Sequence, residues 1–168
     1  MSFAILNVGV SGAGKTTENK RIIELTKKQP LVFATLMKDF PYPIIEDFYD
    51  FMLLASKRKD SILFIDEAQN AFPHIRPNPK NDHDARVLAM FANARKLNNL
   101  ILINFHEFGD VPPWLVGKVA VIKRFKTQDD LTVQSRRFDR YPQLVECFQK
   151  YPEVKMHDHI ELILRPIE

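Results

Sequence analysis

The chain has 168 residues, enough for one domain with a substantial core and too few for two large ones. Apolar residues make up 45% of the chain, which excludes a disordered protein, and the formal charge of +3 is too small to establish a nucleic-acid partner. The single cysteine, Cys147, cannot form an internal disulfide, and no apolar run approaches the roughly 20 residues that span a bilayer. We therefore expect an intracellular protein without direct membrane insertion.

Apolar strands and helices alternate along the first 125 residues, which is typical of an α/β fold with a parallel sheet. We predict strands at 3–8, 31–37, 61–66, 100–105 and 119–125. The predicted helices are 15–28, ended by Pro30, then 44–59 and 85–99, with a short helical turn near 114–118. A turn-rich break at 38–43 and a loop at 72–84 connect these elements.

The remaining residues have a less regular pattern. They predict a strand at 131–138, a helix at 141–151 and a strand at 159–165. We interpret residues 1–168 as a single domain with a core at 3–125. In this interpretation, residues 126–168 form a C-terminal extension that completes the sheet or makes an interface.

Residues 9–16, GVSGAGKT, match the phosphate-loop (Walker A) pattern G-x-x-x-x-G-K-[ST] without a mismatch. The glycines let backbone N–H groups turn toward phosphate oxygens, and the helix that follows adds its positive N-terminal dipole. Lys15 is expected to reach the β- and γ-phosphates, and Thr16 to offer its hydroxyl to Mg²⁺. The predicted nucleotide-binding residues are Gly9, Ser11, Gly12, Ala13, Gly14, Lys15, Thr16 and Thr17.

Asp66 and Glu67 follow the third predicted strand, at the carboxyl end where ligands gather in parallel sheets. Asp66 is expected to hold Mg²⁺ directly or through water. Glu67 is expected to orient or deprotonate an attacking water, which favours hydrolysis over transfer to a second metabolite. A plain helix-start carboxylate is the alternative interpretation of Glu67.

The stretches GVSGAGKTT, IDEAQNAFP and NARKLNNLILINFHEFGDVPPWL resemble the FtsK/HerA superfamily of DNA-pumping ATPases, and the resemblance covers residues 3–125. The short core is most similar to small viral genome-packaging ATPases, and the second motif also resembles zonula-occludens-toxin-like phage proteins. The resemblance implies a P-loop NTPase with a RecA-like, mainly parallel sheet, and ATP with Mg²⁺ as cofactors. It also implies a DNA substrate, a hexameric ring, a capsid or portal-vertex partner, and a location in the host cytoplasm or the virion.

Two further roles depend on this resemblance. A sensor for the γ-phosphate or the lytic water is expected at the end of the fourth strand, where Asn104 and His106 are the candidates and Asn104 ranks first. An arginine finger from a neighbouring subunit is expected to act in catalysis. Arg95 is the first candidate for it, followed by Arg124 and Arg86, and a plain surface charge is the alternative for each.

Basic residues interleaved with aromatics predict sequence-independent contact with nucleic-acid phosphates, and a solvated basic face is the alternative. The candidates are Lys118, Lys123, Arg124, Phe125, Lys126, Arg136, Arg137, Phe138, Arg140, Tyr141, and Arg76 and Lys80 in the 72–84 loop.

Three other functions stay open beside the pump. A small nucleotide kinase shares the loop but needs an acceptor pocket, and a helicase needs a second RecA-like domain for which this chain has no room. A nucleotide-dependent assembly or secretion factor would bind protein instead of DNA. DNA stimulation of ATP hydrolysis would separate the pump from that last class.

Overall fold

The computed structural model describes residues 3–10, 12–35, 37, 39–127, 130–134, 149–151 and 160–163. The strands are β1 Ala4–Gly9, β2 Gln29–Phe33, β3 Ile44–Ile45, β4 Ser61–Ile65, β5 Leu100–Phe105, β6 Val121–Thr127, β7 Asp130–Gln134 and β8 Ile160–Ile163. The helices are α1 Lys15–Thr26, α2 Phe48–Ala55, α3 Asp82–Asn93 and α4 Pro113–Val116, with 3-10 turns at Ala68–Asn70 and Phe108–Asp110. No helix in the described part of the chain combines the length and apolar character needed to cross a membrane.

The eight strands form one sheet in the order β3-β2-β4-β5-β1-β6-β7-β8. The six strands from β3 to β6 are mutually parallel, β7 runs antiparallel to β6, and β8 runs parallel to β7. This mainly parallel sheet flanked by helices confirms the predicted α/β P-loop NTPase fold. Strand β5 lies between β1 and β4, so the phosphate loop and the Asp66–Glu67 pair are separated by a strand that comes later in the chain.

Side-chain alternation along the strands places the two large core clusters on opposite faces of the sheet. On one face, residues such as Ile65 pack with Phe51 of α2 and with side chains of α3 and α4. On the other face, residues such as Ile5 and Phe64 pack beneath Ile22 of α1. Strands β1, β4 and β5 are buried over their whole length because both faces are covered, as their continuous apolar sequences predict.

Several predicted boundaries are wrong. The predicted helix 44–59 is divided: residues 44–45 pair with β2, and α2 begins only after Asp47, whose carboxylate accepts a hydrogen bond from the N–H of Asp50. Helix α3 begins at Asp82, three residues before the predicted start, with Asn81 as its N-cap. It ends at Asn93 instead of residue 99. Helix α1 ends at Thr26, before Pro30, and β2 ends at Phe33 instead of residue 37.

In the C-terminal part, strands β7 and β8 agree with the predicted strands over the residues that are described. Most of the predicted helix 141–151 lies outside the described residues.

Candidate functional site

The phosphate loop joins β1 to α1 in a conformation that depends on its glycines. Gly14 precedes α1 with a φ of 98°, in the left-handed region that glycine adopts without steric cost. At Gly9 a Cβ would overlap the carbonyl oxygen of Phe125 and lie 2.7 Å from the Cβ of that residue, because β1 and β6 approach closely there. The loop therefore leads directly to the first N–H groups of α1, which have no partner within the helix.

A cavity of about 230 Å³ lies between this loop and the carboxyl ends of β4 and β5, and it brings most of the predicted site residues together. It is lined by Gly12, Gly14, Lys15, Thr16, Thr17, Asp66, Glu67 and His106.

The other predicted residues occupy different places. Gly9 lies below the loop, paired with Phe125, and Ala13 is buried against that ring. Ser11 lies outside the described residues. Neither Asn104 nor Arg95 is among the described residues that line the cavity.

Lys15 projects from the first residue of α1 back along the loop. Its Nζ donates hydrogen bonds to the carbonyl oxygens of Gly9 and Val10, the latter at 2.9 Å. Burial lowers the pKa of the Lys15 amine, while the charges of Asp66 and Glu67 act in the opposite direction. A cation is thus held at the cavity wall between the loop and two carboxylates, which is the position from which it can contact a phosphate.

A row of buried polar side chains crosses the sheet behind this cavity. The register pairs Asn7 of β1 with Lys123 of β6 on one side and with Asn104 of β5 on the other. Asp66 extends the row, because the last residue of β4 pairs with the residue before Asn104. Side chains at equivalent register positions point to the same face of a sheet, so all four lie beneath α1.

Asp66 is held by this row. Its Oδ1 accepts a hydrogen bond of 3.0 Å from Nδ2 of Asn104. Burial raises the pKa of the Asp66 carboxyl, the hydrogen bond from Asn104 opposes that rise, and the neighbouring charge of Glu67 adds to it. A nearby cation such as Lys15 or Mg²⁺ would favour the ionised form.

The cavity residues fit a magnesium ion that arrives with a nucleotide. Thr16 and Asp66 both line the cavity and present hard oxygen donors. The described residues contain no group of three or more His, Cys, Asp or Glu side chains that could form a metal cage. Magnesium commonly takes one or two protein ligands and completes its shell with phosphate oxygens and water, which suits this arrangement.

Glu67 follows β4 with a φ of 49° and precedes the first 3-10 turn. Its Oε2 lies 2.6 Å from Nε2 of His106 and accepts a hydrogen bond from Nε2 of Gln69. His106 therefore reaches the cavity wall, whereas Asn104, the first-ranked sensor, is 1% exposed and lies behind Asp66. The predicted contact of Asn104 with the γ-phosphate stays a prediction.

The arginine-finger candidates are spread over the molecule. Arg95 lies before β5, at the amino end of the strands, with its guanidinium carbon 5.4 Å from the centroid of the Phe3 ring. Arg86 lies on α3, where its Nε is 3.4 Å from Oδ2 of Asp82. Arg124 belongs to β6, and its side chain lies outside the described part of the structure. Arg95 is thus remote from the cavity of its own chain, and a role in catalysis requires a neighbour's cavity to approach the amino end of the sheet.

Two residues of the predicted nucleic-acid face are buried, so the prediction for them is wrong. Lys123 is 1% exposed, and its Nζ lies 3.0 Å from Oε1 of Glu18 on α1. Phe125 is 3% exposed and packs against Ala13. In contrast, Arg76 and Lys80 are exposed, as the prediction requires.

Sequence reasoning did not single out Asn7 and Asn19. Asn7 interrupts the otherwise apolar strand AILNVG, as Asn104 interrupts LILINF. A polar residue at the same place in two buried strands is a signal that could have pointed to a shared site, since asparagine is disfavoured in strands.

The fold is shared with solved structures of P-loop ATPases at low sequence identity. The N-terminal domain of zonular occludens toxin from Neisseria meningitidis superimposes with a TM-score of 0.57 at 17% identity, over 74% of this chain and 76% of that one. The genome-packaging NTPase B204 of Sulfolobus turreted icosahedral virus 2, in complex with sulfate, superimposes with a TM-score of 0.58 at 14% identity, over 94% of this chain and 88% of that one. The complex of the same NTPase with ATP-gammaS gives a TM-score of 0.53 at 14% identity, over 92% of this chain and 83% of that one. No protein-family model matches the sequence, and no curated protein matches it significantly.

Proposed function

We propose that this protein is a magnesium-dependent ATPase that translocates nucleic acid, of the kind that packages viral genomes. The observation that carries the proposal is the convergence of Lys15, Thr16, Asp66 and Glu67 on one cavity at the carboxyl edge of a parallel sheet. The B204 packaging NTPase has the same fold and is solved with ATP-gammaS, which supports ATP as the nucleotide.

In the proposed reaction, the loop N–H groups and Lys15 bind the phosphates of ATP. Thr16 and Asp66 would hold Mg²⁺, which neutralises charge on the phosphate oxygens when bound. Glu67 orients a water for attack on the γ-phosphorus and accepts its proton as the bond between the β- and γ-phosphates breaks. The contacts of Glu67 with His106 and Gln69 hold its carboxylate at the cavity wall.

Replacement of Glu67 by Gln tests this assignment. The variant should bind ATP as the wild type does and release phosphate about 10²- to 10⁴-fold more slowly, because the general base is lost. The matched control is Glu107→Gln, an exposed carboxylate close to His106 in sequence that does not line the cavity. Normal phosphate release by Glu67→Gln would refute hydrolysis by this residue.

The loop after the 3-10 turn at Ala68–Asn70 is the proposed nucleic-acid contact. Nε1 of Trp114 donates to the carbonyl oxygen of Pro73 at 2.8 Å, and the N–H of Asn78 donates to Asp84, so the loop is anchored near both ends. Arg76 lies between these two anchors and Lys80 follows the second one, and both side chains are exposed. Such cations contact phosphates without reading sequence, which a translocating motor needs.

The double variant Arg76→Ala/Lys80→Ala should keep its basal ATPase rate and lose most of the stimulation by double-stranded DNA. The control Lys57→Ala/Lys59→Ala removes the same charge from exposed positions before β4, at the opposite end of the strands. Equal stimulation in both double variants would refute the loop assignment.

The assembly is also part of the proposal. A homo-oligomeric ring, a hexamer by resemblance, would let a neighbour supply an arginine to each site and would contact a capsid or portal-vertex protein in the virion or host cytoplasm. A second candidate is an assembly or secretion ATPase acting on protein, and the fold shared with the zonular occludens toxin domain is compatible with it. Strong stimulation of phosphate release by DNA supports the first function, and hydrolysis indifferent to DNA supports the second.

A further inference from the structure

Three asparagines occupy core positions beside the cavity without lining it. Asn7 of β1 and Asn19 of α1 are fully buried, and Asn104 of β5 is 1% exposed. Neighbouring positions on the same face of the strands hold apolar side chains such as Ile5 and Leu102. Apolar residues of similar volume are the ordinary occupants of such positions.

The three side chains form a connected hydrogen-bond network that ends on Asp66. Nδ2 of Asn7 donates to Oδ1 of Asn19 at 2.8 Å and to Oδ1 of Asn104 at 3.0 Å. Nδ2 of Asn19 donates to the same Oδ1 of Asn104 at 2.8 Å. With its oxygen fixed from two sides, Asn104 has its amide nitrogen directed at Oδ1 of Asp66, 3.0 Å away.

This network is not the arrangement that would maximise stability. Oδ1 of Asn7 is buried and accepts no hydrogen bond from the described residues, and such an unsatisfied group destabilises a fold. Asn99, at the amino end of β5, is a contrasting case. Its Oδ1 accepts from the N–H of Ser61 and its Nδ2 donates to the carbonyl oxygen of Arg58, so both polar atoms of its amide are satisfied.

We propose that Asn7 and Asn19 are positioning residues for the magnesium-binding carboxylate. They fix Asn104, and Asn104 fixes the orientation of Asp66. Asn19 lies three residues after Thr16 on α1, so its bond to Asn104 ties the helix that carries Thr16 to the strands beside Asp66. The two oxygen donors expected to hold magnesium are thereby kept in one relative position. This inference rests on the proposed magnesium-dependent nucleotide binding.

Three quantities are measured for each variant, so that a loss of metal affinity can be told apart from a loss of nucleotide affinity or of stability. The variants are Asn19→Leu and Asn7→Val, with Asn99→Leu as the matched control, since Asn99 is an equally buried asparagine remote from the cavity. For each purified protein, the affinity for AMPPCP is measured in EDTA. The affinity of the AMPPCP complex for Mn²⁺ is then measured by electron paramagnetic resonance, and the melting temperature is recorded.

Asn19→Leu should bind Mn²⁺ about tenfold more weakly, because removing a residue that orients a metal ligand typically costs at least that much affinity. The same variant should bind AMPPCP in EDTA as tightly as the wild type does. Asn7→Val should weaken Mn²⁺ binding less, because Asn19 still contacts Asn104. It should change the melting temperature little, because it removes the unsatisfied Oδ1 of Asn7 while Oδ1 of Asn19 loses a donor. Asn99→Leu should lower the melting temperature alone.

Unchanged Mn²⁺ affinity in both Asn19→Leu and Asn7→Val would overturn the positioning role while leaving the proposed function intact. If Asn19→Leu does not fold, the result for Asn7→Val decides. A wild-type protein that binds AMPPCP without any response to metal would overturn the proposed function, and the positioning role with it.

Discussion

Replacing Glu18 with Gln would disrupt a buried cluster of charges between α1 and β6. Glu18 is 3% exposed. Its Oε1 lies 3.0 Å from Nζ of Lys123 and 2.6 Å from Nη2 of Arg21, and its Oε2 accepts from Nε of Arg21 at 3.0 Å. Glutamine has nearly the same volume but no charge, so the substitution tests the electrostatic contribution with little change in packing.

The expected effect is large because Lys123 and Arg21 both lose the charge of the Glu18 carboxylate. At an effective dielectric constant of about 20, opposite unit charges separated by 3.0 Å attract by about 5.5 kcal/mol before desolvation is counted. Removing one partner of a buried ion pair costs about 3–5 kcal/mol. For a chain of this size, that lowers the melting temperature by roughly 6–20 °C. Lys123→Met should cost less, because Glu18 keeps its two hydrogen bonds from Arg21.

The effect should also depend on pH. Burial alone would raise the pKa of Glu18, but hydrogen bonds from Arg21 and the charge of Lys123 outweigh burial, so the folded-state pKa lies below the ordinary value of 4.5. A carboxyl group with a lowered folded-state pKa stabilises the fold above its unfolded pKa, and this stability is lost as the pH falls through the folded-state pKa. The difference in unfolding free energy between wild type and Glu18→Gln should be complete at neutral pH and shrink below pH 4.5.

Urea titrations at several pH values, with the melting temperature as a second measure, provide the assay. Glu24→Gln is the control, because Glu24 lies on the same helix and, among the residues that the structure describes, pairs with exposed Lys20 at 3.9 Å. A loss below about 1 kcal/mol for Glu18→Gln, no larger than an exposed pair contributes, would refute the reasoning.

Three further predictions concern the phosphate loop and the amino end of the strands. Gly9→Ala should lower the free energy of unfolding by about 1–3 kcal/mol in urea titrations, because the new Cβ would meet the Phe125 backbone. Gly109→Ala is the control, because a Cβ there would meet open space, and equal stability of the two variants would contradict the close approach of β1 and β6. Lys15→Ala should weaken ATP binding about 10- to 100-fold in equilibrium titrations, because the phosphate would lose one or more hydrogen bonds from a charged donor. An affinity equal to that of the wild type would exclude a contact between Lys15 and the phosphate. Arg95→Ala should bind ATP normally and lose about 10³-fold in turnover if the arginine completes a neighbour's site. Normal turnover of this variant would refute the arginine-finger role.

Much of the site could be predicted because its signals are local in the chain. The eight residues GVSGAGKT encode a tight loop and a helix start directly after an apolar strand, and the Asp66–Glu67 pair also follows directly on an apolar strand. The structure brings both segments to one cavity. Local patterns failed at residues 44–47, where apolar residues at helical spacing instead form the short edge strand β3, because pairing with β2 is a long-range contact.

The roles of individual side chains depended on strand order and register. Asn104 was expected at the cavity and Lys123 at the surface, yet both lie in the buried row beneath α1. Insertion of β5 between β1 and β4 places Asn104 beside Asp66, and pairing of β1 with β6 places Lys123 beneath α1, within 3.0 Å of Glu18.

The sequence by itself determined the fold class, since strand alternation follows from adjacent residues, and it supplied the residues predicted to bind phosphate and magnesium. Only the tertiary structure decided that Asn7, Asn19 and Asn104 form a hydrogen-bond network ending on Asp66 and that Arg95 lies at the amino end of the strands. These contacts join residues up to 97 positions apart, and their geometry is set by sheet register, which no local pattern encodes.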